Sequence, residues 1–351
     1  MTPTPATHQQ RSAHIRAVVM ARGDELRRRY PILQHQDALG AGILAFALAG
    51  MIGSAWLYAE GAIAWWACLL ANAFFASLTH ELEHDLIHSM YFRKQRVPHN
   101  LMMALVWLAR PSTINPWIRR HLHLNHHKVS GTETDLEERA ITNGEPWGFA
   151  RLLMVGDNLM SSLIRFLRAP TWERRKMIVS RTLVGYAPLG LLNWGAWYVF
   201  LGFHLIDFVA TLAGAPITWS ATSLAVMDGV TFAVVVLVGP NVLRTFCLHF
   251  VSSNMHYYGD VELGNVIQQT QVLNPWWLWP LQAFCCNFGS THGIHHFVVK
   301  EPFYIRQLTA PVAHRVMREM GVRFNDFGTF ARANRWQARE KPTSATTQQV
   351  A

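Results

Sequence analysis

The stretch that decides the fold is AIAWWACLLANAFFASLTHELEHDLIH, residues 62–88. Residues 62–79 carry no charged side chain, whereas the residues that follow are rich in histidine, glutamate and aspartate. His80, His84 and His88 are spaced at i, i+4 and i+8, so a helix through them carries all three imidazoles on one face. The stretch therefore predicts an apolar helix that crosses a membrane and ends in a cluster of potential metal ligands.

The distribution of Lys and Arg predicts further spans. Charged residues make up only 15% of the 351 residues, below the ~25% of globular domains. The 31 basic residues fall before residue 31, between 81 and 181, and from 244 onward. Each gap is long enough for two helices of about 20 apolar residues. Because these runs lack the alternation of strands, we predict an all-α integral membrane protein with four transmembrane helices in two hairpins: residues 39–57, 62–79, 183–206 and 224–243.

The basic residues also predict the orientation. The connections at 58–61 and 207–223 contain no Lys or Arg, so the positive-inside rule predicts that the three basic blocks and both termini are cytoplasmic. This topology accounts for the net charge of +9, and we therefore expect no nucleic-acid partner. Residues 1–30 are polar and Arg-rich, which does not fit a cleavable signal peptide. The apolar composition excludes a disordered chain and disfavours an ordinary soluble enzyme.

We expect three regions along the chain. They are a cytoplasmic N-terminal segment (1–37), a membrane domain whose cytoplasmic helical cap holds a di-metal site (38–310), and a cytoplasmic tail (311–351). The first ~10 residues and those after 340 have the composition of disordered termini. Segments 101–109, 149–167 and 276–279 combine apolar or Trp residues with a cytoplasmic position, and either lie on the membrane lipid or pack in the cap. The four cysteines predict no disulfide framework.

The 18 histidines are concentrated in clusters. The second cluster is HLHLNHH (121–127), which includes His121, and the third is THGIHH (291–296). His249 and His256 lie seven residues apart where the last span would emerge. Imidazole binds Zn, Fe, Cu and Ni, and pairs at i and i+4 share an ion readily. The topology brings all clusters to one side of the membrane, and eight candidate ligands suit two ions better than one: His84, His88, His123, His126, His127, His292, His295 and His296.

These clusters make the chain similar to the membrane fatty acid desaturase superfamily, over about residues 37–310. The first box, HDLIHSMYFRKQRVPHN (84–100), resembles the family's HDxxH with a basic stretch and Asn. The second, WIRRHLHLNHHKVSGTETD (117–135), and the third, HGIHHFVVKEPFYIRQL (292–308), each resemble its HxxHH boxes. NMHYYGD (254–260) is similar to the segment that carries a further single histidine ligand.

The resemblance implies two non-haem iron ions, O₂ as co-substrate, and oxidation of an unactivated C–H bond. The nine ligands that it implies are His84, His88, His123, His126, His127, His256, His292, His295 and His296.

Two alternatives remain open for the ligands. His80 with His84 could form the first pair, and His249 could replace His256, which follows Met255 where the family often has Glu. Asn254 is a candidate to orient a ligand or water. Acids beside the boxes are candidates to hydrogen-bond ligating imidazoles: Glu81, Glu83, Asp85, Asp135 and Asp260.

The resemblance favours desaturation of a fatty acyl chain, an oxidoreductase reaction of lipid metabolism. The same boxes also serve hydroxylases and decarboxylases that convert free fatty acids to terminal alkenes, so these outcomes stay open. Electrons must come from an external donor, and the basic cytoplasmic surface suits an acidic ferredoxin. A metal transporter is the non-enzymatic alternative, but it would need ionisable residues within the spans, where Asp228 is nearly alone.

Overall fold

The computed structural model describes residues 7–337. Within this range all regular secondary structure is helical, apart from the isolated β-bridges His256–Thr270 and Val272–Phe324. The prediction of an all-α protein is therefore confirmed. The predicted disorder after residue 340 lies outside the described residues.

The helices follow one another with short connections. The first part of the chain forms α1 (His8–Arg29), α2 (Gln36–Ala59), α3 (Trp65–Ile87), α4 (Arg96–Leu108), α5 (Pro116–Val129) and α6 (Leu136–Ala140). The middle forms α7 (Phe149–Gly156), α8 (Asn158–Arg168), α9 (Trp172–Tyr186) and α10 (Leu189–Leu212). One continuous helix then comprises α11 (Ala221–Ala233), a π-helical segment (Val234–Val238) and α12 (Gly239–Met255). The last part forms α13 (Val266–Gln269), α14 (Trp279–Gln282), α15 (Phe288–His295) and α16 (Phe303–Glu319).

The N-terminal helix α1 is packed against the rest of the protein. A capping box starts it, in which Thr7 and Gln10 each accept a hydrogen bond from the backbone N–H of the other. Apolar side chains of α1 pack on those of α16, and Arg27 lies 2.5 Å from Glu301. The prediction that the first ~10 residues are disordered is thus wrong for residues 8–10, which form the first turn of α1.

Among the described residues, three helices are long and apolar enough to cross a membrane: Gln36–Ala59, Leu189–Leu212 and Ala221–Met255. The first and third contain the predicted spans 39–57 and 224–243. The predicted span 183–206 is displaced, because residues 183–186 belong to α9. Pro188, which has no N–H to donate, separates α9 from α10. The apolar helix therefore begins six residues later than predicted.

The predicted span 62–79 falls in α3, which is not one of these three helices. Asn72, Ser77 and Thr79 lower its hydropathy, and its last two turns carry the charged and histidine side chains. The helix packs on α2, α12 and the π-helical segment. Its first half keeps exposed apolar side chains such as Trp65, Trp66 and Phe74, whereas its last turns are buried.

Polar contacts hold these central helices together. Asn72 of α3 donates a hydrogen bond to the carbonyl of Val236 at 2.7 Å, in the π-helical segment. Its side-chain oxygen accepts a hydrogen bond from Ser54 of α2. Hydrogen bonds between helices replace the partners that water would otherwise supply to such groups. These two contacts join α3 to α2 and to the π-helical segment, in the part of α3 that precedes its histidines.

The three segments predicted either to lie on the membrane lipid or to pack in the cap differ from one another. Segment 101–109 lies in α4, whose Met103 and Val106 are buried against α3, so one face of it is core. Segment 149–167 is two helices, α7 and α8, separated at Asp157. Trp276 and Trp279 are largely exposed, which fits the interfacial position that Trp favours.

Candidate metal centre

The first cluster contains five histidines from three helices. His84 belongs to α3, His88 follows its last residue, His123 and His127 lie on α5, and His295 ends α15. The Nε2 atom of His127 lies 3.2 Å from those of His88 and His123, and 3.0 Å from that of His295. The His84 ring packs edge-on against His295, with centroids 4.2 Å apart. One nitrogen from each of His84, His88, His123 and His295 lies within 4.8 Å of the others, close enough to hold one ion.

The second cluster contains four histidines beside the first. The Nε2 atom of His292 lies 3.2 Å from that of His256 and 3.3 Å from that of His296. The His126 ring lies 5.6 Å from that of His256 and 5.4 Å from that of His296, between centroids. Nitrogens of His126, His256 and His296 lie within 4.8 Å of one another. His126 forms a further group of this spacing with Asp135 and Glu138. The structure therefore places two adjacent histidine clusters, the second with two carboxylates beside it, at the spacing of metal ligands.

The two HxxHH boxes supply both clusters because of helical geometry. On α5, His123 and His127 are one turn apart and face the first cluster, whereas His126, about 100° around the helix, faces the second. On α15, His292 and the adjoining His296 face the second cluster, and His295 faces the first. Each of these helices thus lies between the two clusters.

The hydrogen-bonding requirements of the imidazoles fit bound metal ions. His127 Nε2 lies within hydrogen-bond distance of three other Nε2 atoms, and one proton cannot satisfy all three. Both ring nitrogens of His84 are buried without a partner. Burial, together with the His123 ring, lowers the pKa of His88 to about 2. Burial, together with His126, lowers the pKa of His256 to about 4. These histidines are therefore neutral at pH 7, which is the form that binds metals.

Carboxylates accept hydrogen bonds from the Nδ1 atoms of two histidines, one in each cluster. Asp135 Oδ2 accepts a hydrogen bond from His126 Nδ1 at 2.7 Å, and Glu137 Oε2 accepts from His123 Nδ1 at 2.8 Å. Burial opposes a charged imidazole, but the bond to Asp135 raises the pKa of His126 overall. Burial likewise opposes the charged form of Glu137, yet His123 and Arg119 lower its pKa overall. The two carboxylates thus orient one histidine in each cluster.

Sequence reasoning identified Asp135 but missed three neighbours. Glu137 contacts His123, as described, and Glu138 Oε1 lies 3.4 Å from His256 Nε2 and 3.6 Å from His126 Nδ1. Gln269 Oε1 lies 3.1 Å from His296 Nδ1. Both glutamates follow Asp135, the N-cap of α6, and an acidic first turn so close to a histidine box was the available signal. Gln269 lies outside every box, and the sequence gives no signal for it.

Other candidate histidines lie outside the two groups. His121 is exposed on the opposite side of α5. His80 is buried, lies 3.4 Å from Arg110 through Nδ1, and packs near Phe288. It lies one turn before His84 on α3 and belongs to neither cluster, whereas His84 and His88 both belong to the first. His249 lies on the wall of the neighbouring cavity, and His256 rather than His249 joins the second cluster.

The remaining polar candidates do not contact ligand nitrogens as expected. Asn254 donates to the carbonyl of Phe250 at 2.9 Å. Asp260 accepts from the backbone N–H groups of Trp336 and Gln337 at 2.7 and 2.9 Å. The Oδ1 atom of Asn254 is buried without a hydrogen-bond partner. In the described part of the chain, neither side chain hydrogen-bonds to a histidine of the clusters.

The acidic residues of α3 are buried beside the histidines and form ion pairs with arginines outside this helix. Asp85 accepts hydrogen bonds from Tyr91 and Arg306, each at 2.9 Å, and its nearest approach to His84 Nδ1 is 3.8 Å. Glu81 lies 3.2 Å from Arg306. Burial raises the pKa of Glu81 to about 7 and that of Asp85 to about 6, although Arg306 opposes both shifts. Glu83 pairs with Arg110 and Arg119. These acids anchor α3 to its neighbours instead of orienting a ligand.

Both clusters border one cavity of about 100 Å³. His84 and His123 reach it from the first cluster, and three histidines reach it from the second: His126, His256 and His292. The rest of the wall combines apolar side chains, among them Ile114, Leu122, Ile141, Leu248 and Phe288, with two further histidines (His80 and His249), two acids (Glu137 and Glu138) and two cations (Arg119 and Arg244). Such a wall suits an apolar chain next to the imidazoles.

Fold and site together define an all-helical protein with a buried polyhistidine centre and apolar helices of membrane-spanning length. The family model described as "Fatty acid desaturase" matches residues 60–328. That match covers more than half of the chain, so the protein belongs to the fatty acid desaturase family. No curated protein matches the chain significantly. The family membership predicted from the histidine boxes is confirmed, and it implies an oxidoreductase that acts on fatty acyl chains.

Proposed function

We propose that this protein is an integral membrane enzyme that uses O₂ and two non-haem iron ions to desaturate a fatty acyl chain. In this reaction two adjacent methylenes lose two hydrogens, and an external donor supplies two more electrons. With protons from solvent, these reduce O₂ to two waters. Iron supplies the O₂-activating chemistry when it is bound.

The observation that carries the proposal is the pair of histidine clusters. We assign His84, His88, His123, His127 and His295 to one ion and His126, His256, His292 and His296 to the other. Neutral imidazoles suit iron, and the short Nε2–Nε2 distances leave lone pairs that an ion would satisfy. Asp135 and Glu137 support one histidine of each group. Two clusters with separate carboxylate support favour two ions over a single structural one.

The membrane arrangement that we propose has four spans in two hairpins, with the metal centre and both termini in the cytoplasm. Three spans correspond to the three apolar helices, and α3 supplies the fourth in the centre of the fold. The orientation rests on the positive-inside rule. The basic cytoplasmic surface would then be available to an acidic ferredoxin-type electron donor.

The first experiment combines metal analysis with product analysis. Protein purified after expression with iron should contain about two iron ions per chain, and His295→Ala should lose iron and activity together. Supplied with a fatty acid, O₂ and reduced ferredoxin, the enzyme should yield an acid with a new double bond on gas chromatography. A hydroxy acid, or an alkene one carbon shorter, would assign the same centre to hydroxylation or decarboxylation. One iron or none, without O₂ uptake, would contradict the proposal.

A further inference from the structure

One buried arginine in the cavity has no acidic partner. Arg244 lies on α12 and is almost completely buried. Its Nη2 donates to Thr245 Oγ1 at 2.9 Å, and its Nε lies 3.4 Å from Asn241 Oδ1. Its Nη1 has no hydrogen-bond partner, and no carboxylate among residues 7–337 lies within 4.0 Å of the guanidinium. A buried charge is costly unless it is paired or hydrogen-bonded. Arg151, equally buried and also without a carboxylate of the described residues within 4.0 Å, donates hydrogen bonds to oxygen atoms from both of its Nη atoms. Arg244 differs because it lines the cavity and its Nη1 has no acceptor, so we infer that it binds an anion from outside the chain.

The other arginines around the centre show the contrast. Arg110 pairs with Glu83, and Arg306 pairs with Asp85 and Glu81. Arg119, the second cation of the cavity wall, pairs with Glu83 at 3.1 Å and lies 3.5 Å from Glu137. The chain therefore neutralises each of these guanidinium groups with its own acids. Of the two cations in the cavity wall, Arg244 is the one without a carboxylate partner among the described residues.

We propose that Arg244 binds the carboxylate of an unesterified fatty acid. A guanidinium matches a carboxylate in charge and in its planar, two-pronged geometry. An ester or thioester carbonyl is neutral and would leave the charge of Arg244 unpaired. The proposal rests on the proposed function, since it names the substrate class of that same cavity: a free acid, in preference to an acyl thioester or a lipid ester.

The position of Arg244 also gives the orientation of the substrate. The cavity wall contains Arg244 together with histidines of both clusters, so a bound carboxylate lies beside the metal centre and the chain enters head first. The tail then points outward past Tyr186, whose ring lies 4.8 Å from that of Trp194. Trp194 lines an apolar groove of about 630 Å³ between α8, α9 and α10, whose other walls include Leu163 and Leu183. This groove suits the distal part of an acyl chain.

Head-first binding predicts oxidation at the carboxyl end of the chain. Loss of one hydrogen from each of C2 and C3 gives a 2-enoic acid. Loss of one C3 hydrogen with breakage of the C1–C2 bond releases C1 as CO₂ and leaves a terminal alkene. Either product removes two electrons from the substrate, and O₂ takes these and two from the donor to form two waters. Both products support the proposed orientation, whereas a double bond in the middle of the chain contradicts it.

Binding measurements on the iron-loaded, detergent-purified protein test the proposal directly. The probes are tritiated dodecanoic acid and its methyl ester, measured by equilibrium binding without O₂ or reductant. The acid should bind the native protein about tenfold to a hundredfold more tightly than the ester. Arg244→Gln should abolish that preference by weakening acid binding alone, and Arg244→Lys should retain part of it. Arg174→Gln, which removes an exposed cation of α9, is the matched control and should change neither affinity.

Equal affinity of the native protein for acid and ester would overturn the proposal without any variant. So would an Arg244→Gln protein that keeps its iron and prefers the acid as strongly as the native protein. Failure of the proposed function gives a different pattern, in which the acid preference depends on Arg244 but no oxidised product forms. If Arg244→Gln does not fold, the affinities of the native protein and of Arg244→Lys for the acid and the ester still test the proposal.

Discussion

The hydrogen bond between Asp135 and His126 allows the two proposed ions to be separated by mutation. Asp135→Asn removes the negative charge that faces His126 Nδ1 but is nearly the same size. One oxygen remains to cap α6, where Asp135 Oδ1 accepts the Glu138 backbone N–H at 3.3 Å. The variant should therefore fold, and its defect should be confined to the ion held by the second cluster.

The expected size of the effect follows from the geometry. The Asp135–His126 contact is 2.7 Å long, and both side chains are buried, so solvent does not screen it. A hydrogen bond to a charged group contributes about 1.5–3 kcal/mol, which corresponds to roughly tenfold to a hundredfold in affinity. The same range, about 10–100-fold, is typical when a carboxylate behind a metal-binding histidine is replaced. We therefore expect Asp135→Asn to weaken iron binding at the second cluster by that factor.

The assay is iron content per chain at increasing concentrations of a competing chelator. Native protein should lose its two irons at similar chelator concentrations. Asp135→Asn should lose one iron at about 10–100-fold less chelator. Glu137→Gln should do the same for the other iron, because Glu137 supports His123 of the first cluster at 2.8 Å. Asp260→Asn is the control, since Asp260 accepts hydrogen bonds from the backbone N–H groups of Trp336 and Gln337 and from no histidine of the clusters, and its titration should match the native one.

Two results would refute this reasoning. If Asp135→Asn retains both irons at native affinity, the carboxylate does not support a ligand and His126 is not one. If Asp135→Asn and Glu137→Gln each release both irons together in folded protein, the clusters do not bind ions separately. Mössbauer spectra of ⁵⁷Fe-loaded variants distinguish these cases, because each variant should keep the signal of the unperturbed iron.

Three further predictions concern the buried ion pairs of α3, the packing of α15 and the electron donor. Arg306→Met leaves Asp85 and Glu81 without their buried partner, and should destabilise the fold by about 3–5 kcal/mol, measured as a fall of several degrees in melting temperature in detergent. Gly289→Ala would bring a Cβ within 2.7 Å of the Leu273 carbonyl and 2.9 Å of Val251; it should cost about 1–3 kcal/mol, measured the same way with iron content followed in parallel. Turnover with an acidic ferredoxin should fall as salt rises from about 0.05 to 0.5 M, whereas turnover with a small uncharged reductant should not, and a flat salt profile would rule out electrostatic docking.

Local spacing predicted much of the centre correctly. The i, i+4 pairs His84/His88, His123/His127 and His292/His296 depend only on helix geometry, and the structure brings the members of each pair together. The roles of Glu138 and Gln269 depend on where α6 and the 256–270 segment meet the clusters. The contacts of Glu138 with His256 and of Gln269 with His296 are long-range. The acidic first turn after Asp135 gave a local signal for Glu138, but no pattern along the chain predicts which histidine it meets, and none predicts Gln269.

The membrane helices show a second limit on what can be predicted from the sequence. A gap in Lys and Arg marks a helix that avoids water, but a buried core and a lipid bilayer both produce that gap. The predicted span 62–79 illustrates this, since α3 is apolar and central but falls below the hydropathy of the other three helices. The span at 183–206 was misplaced for a local reason, because the apolar run continues through Pro188 while the helix does not.

The arrangement of the two boxes explains why the centre can be rigid without a metal-binding loop. Because α5 and α15 each contribute to both clusters, the distance between the proposed ions is fixed by two helices and not by flexible connections. His126 and His127 are neighbours in sequence yet belong to different clusters, so a small rotation of α5 would move ligands of both ions at once. The partly buried pairs of Glu83 with Arg119 and of Glu137 with His123 oppose that rotation. The charges around α5 therefore hold the histidines of both clusters in place. We expect their removal to lower iron affinity before it destabilises the fold.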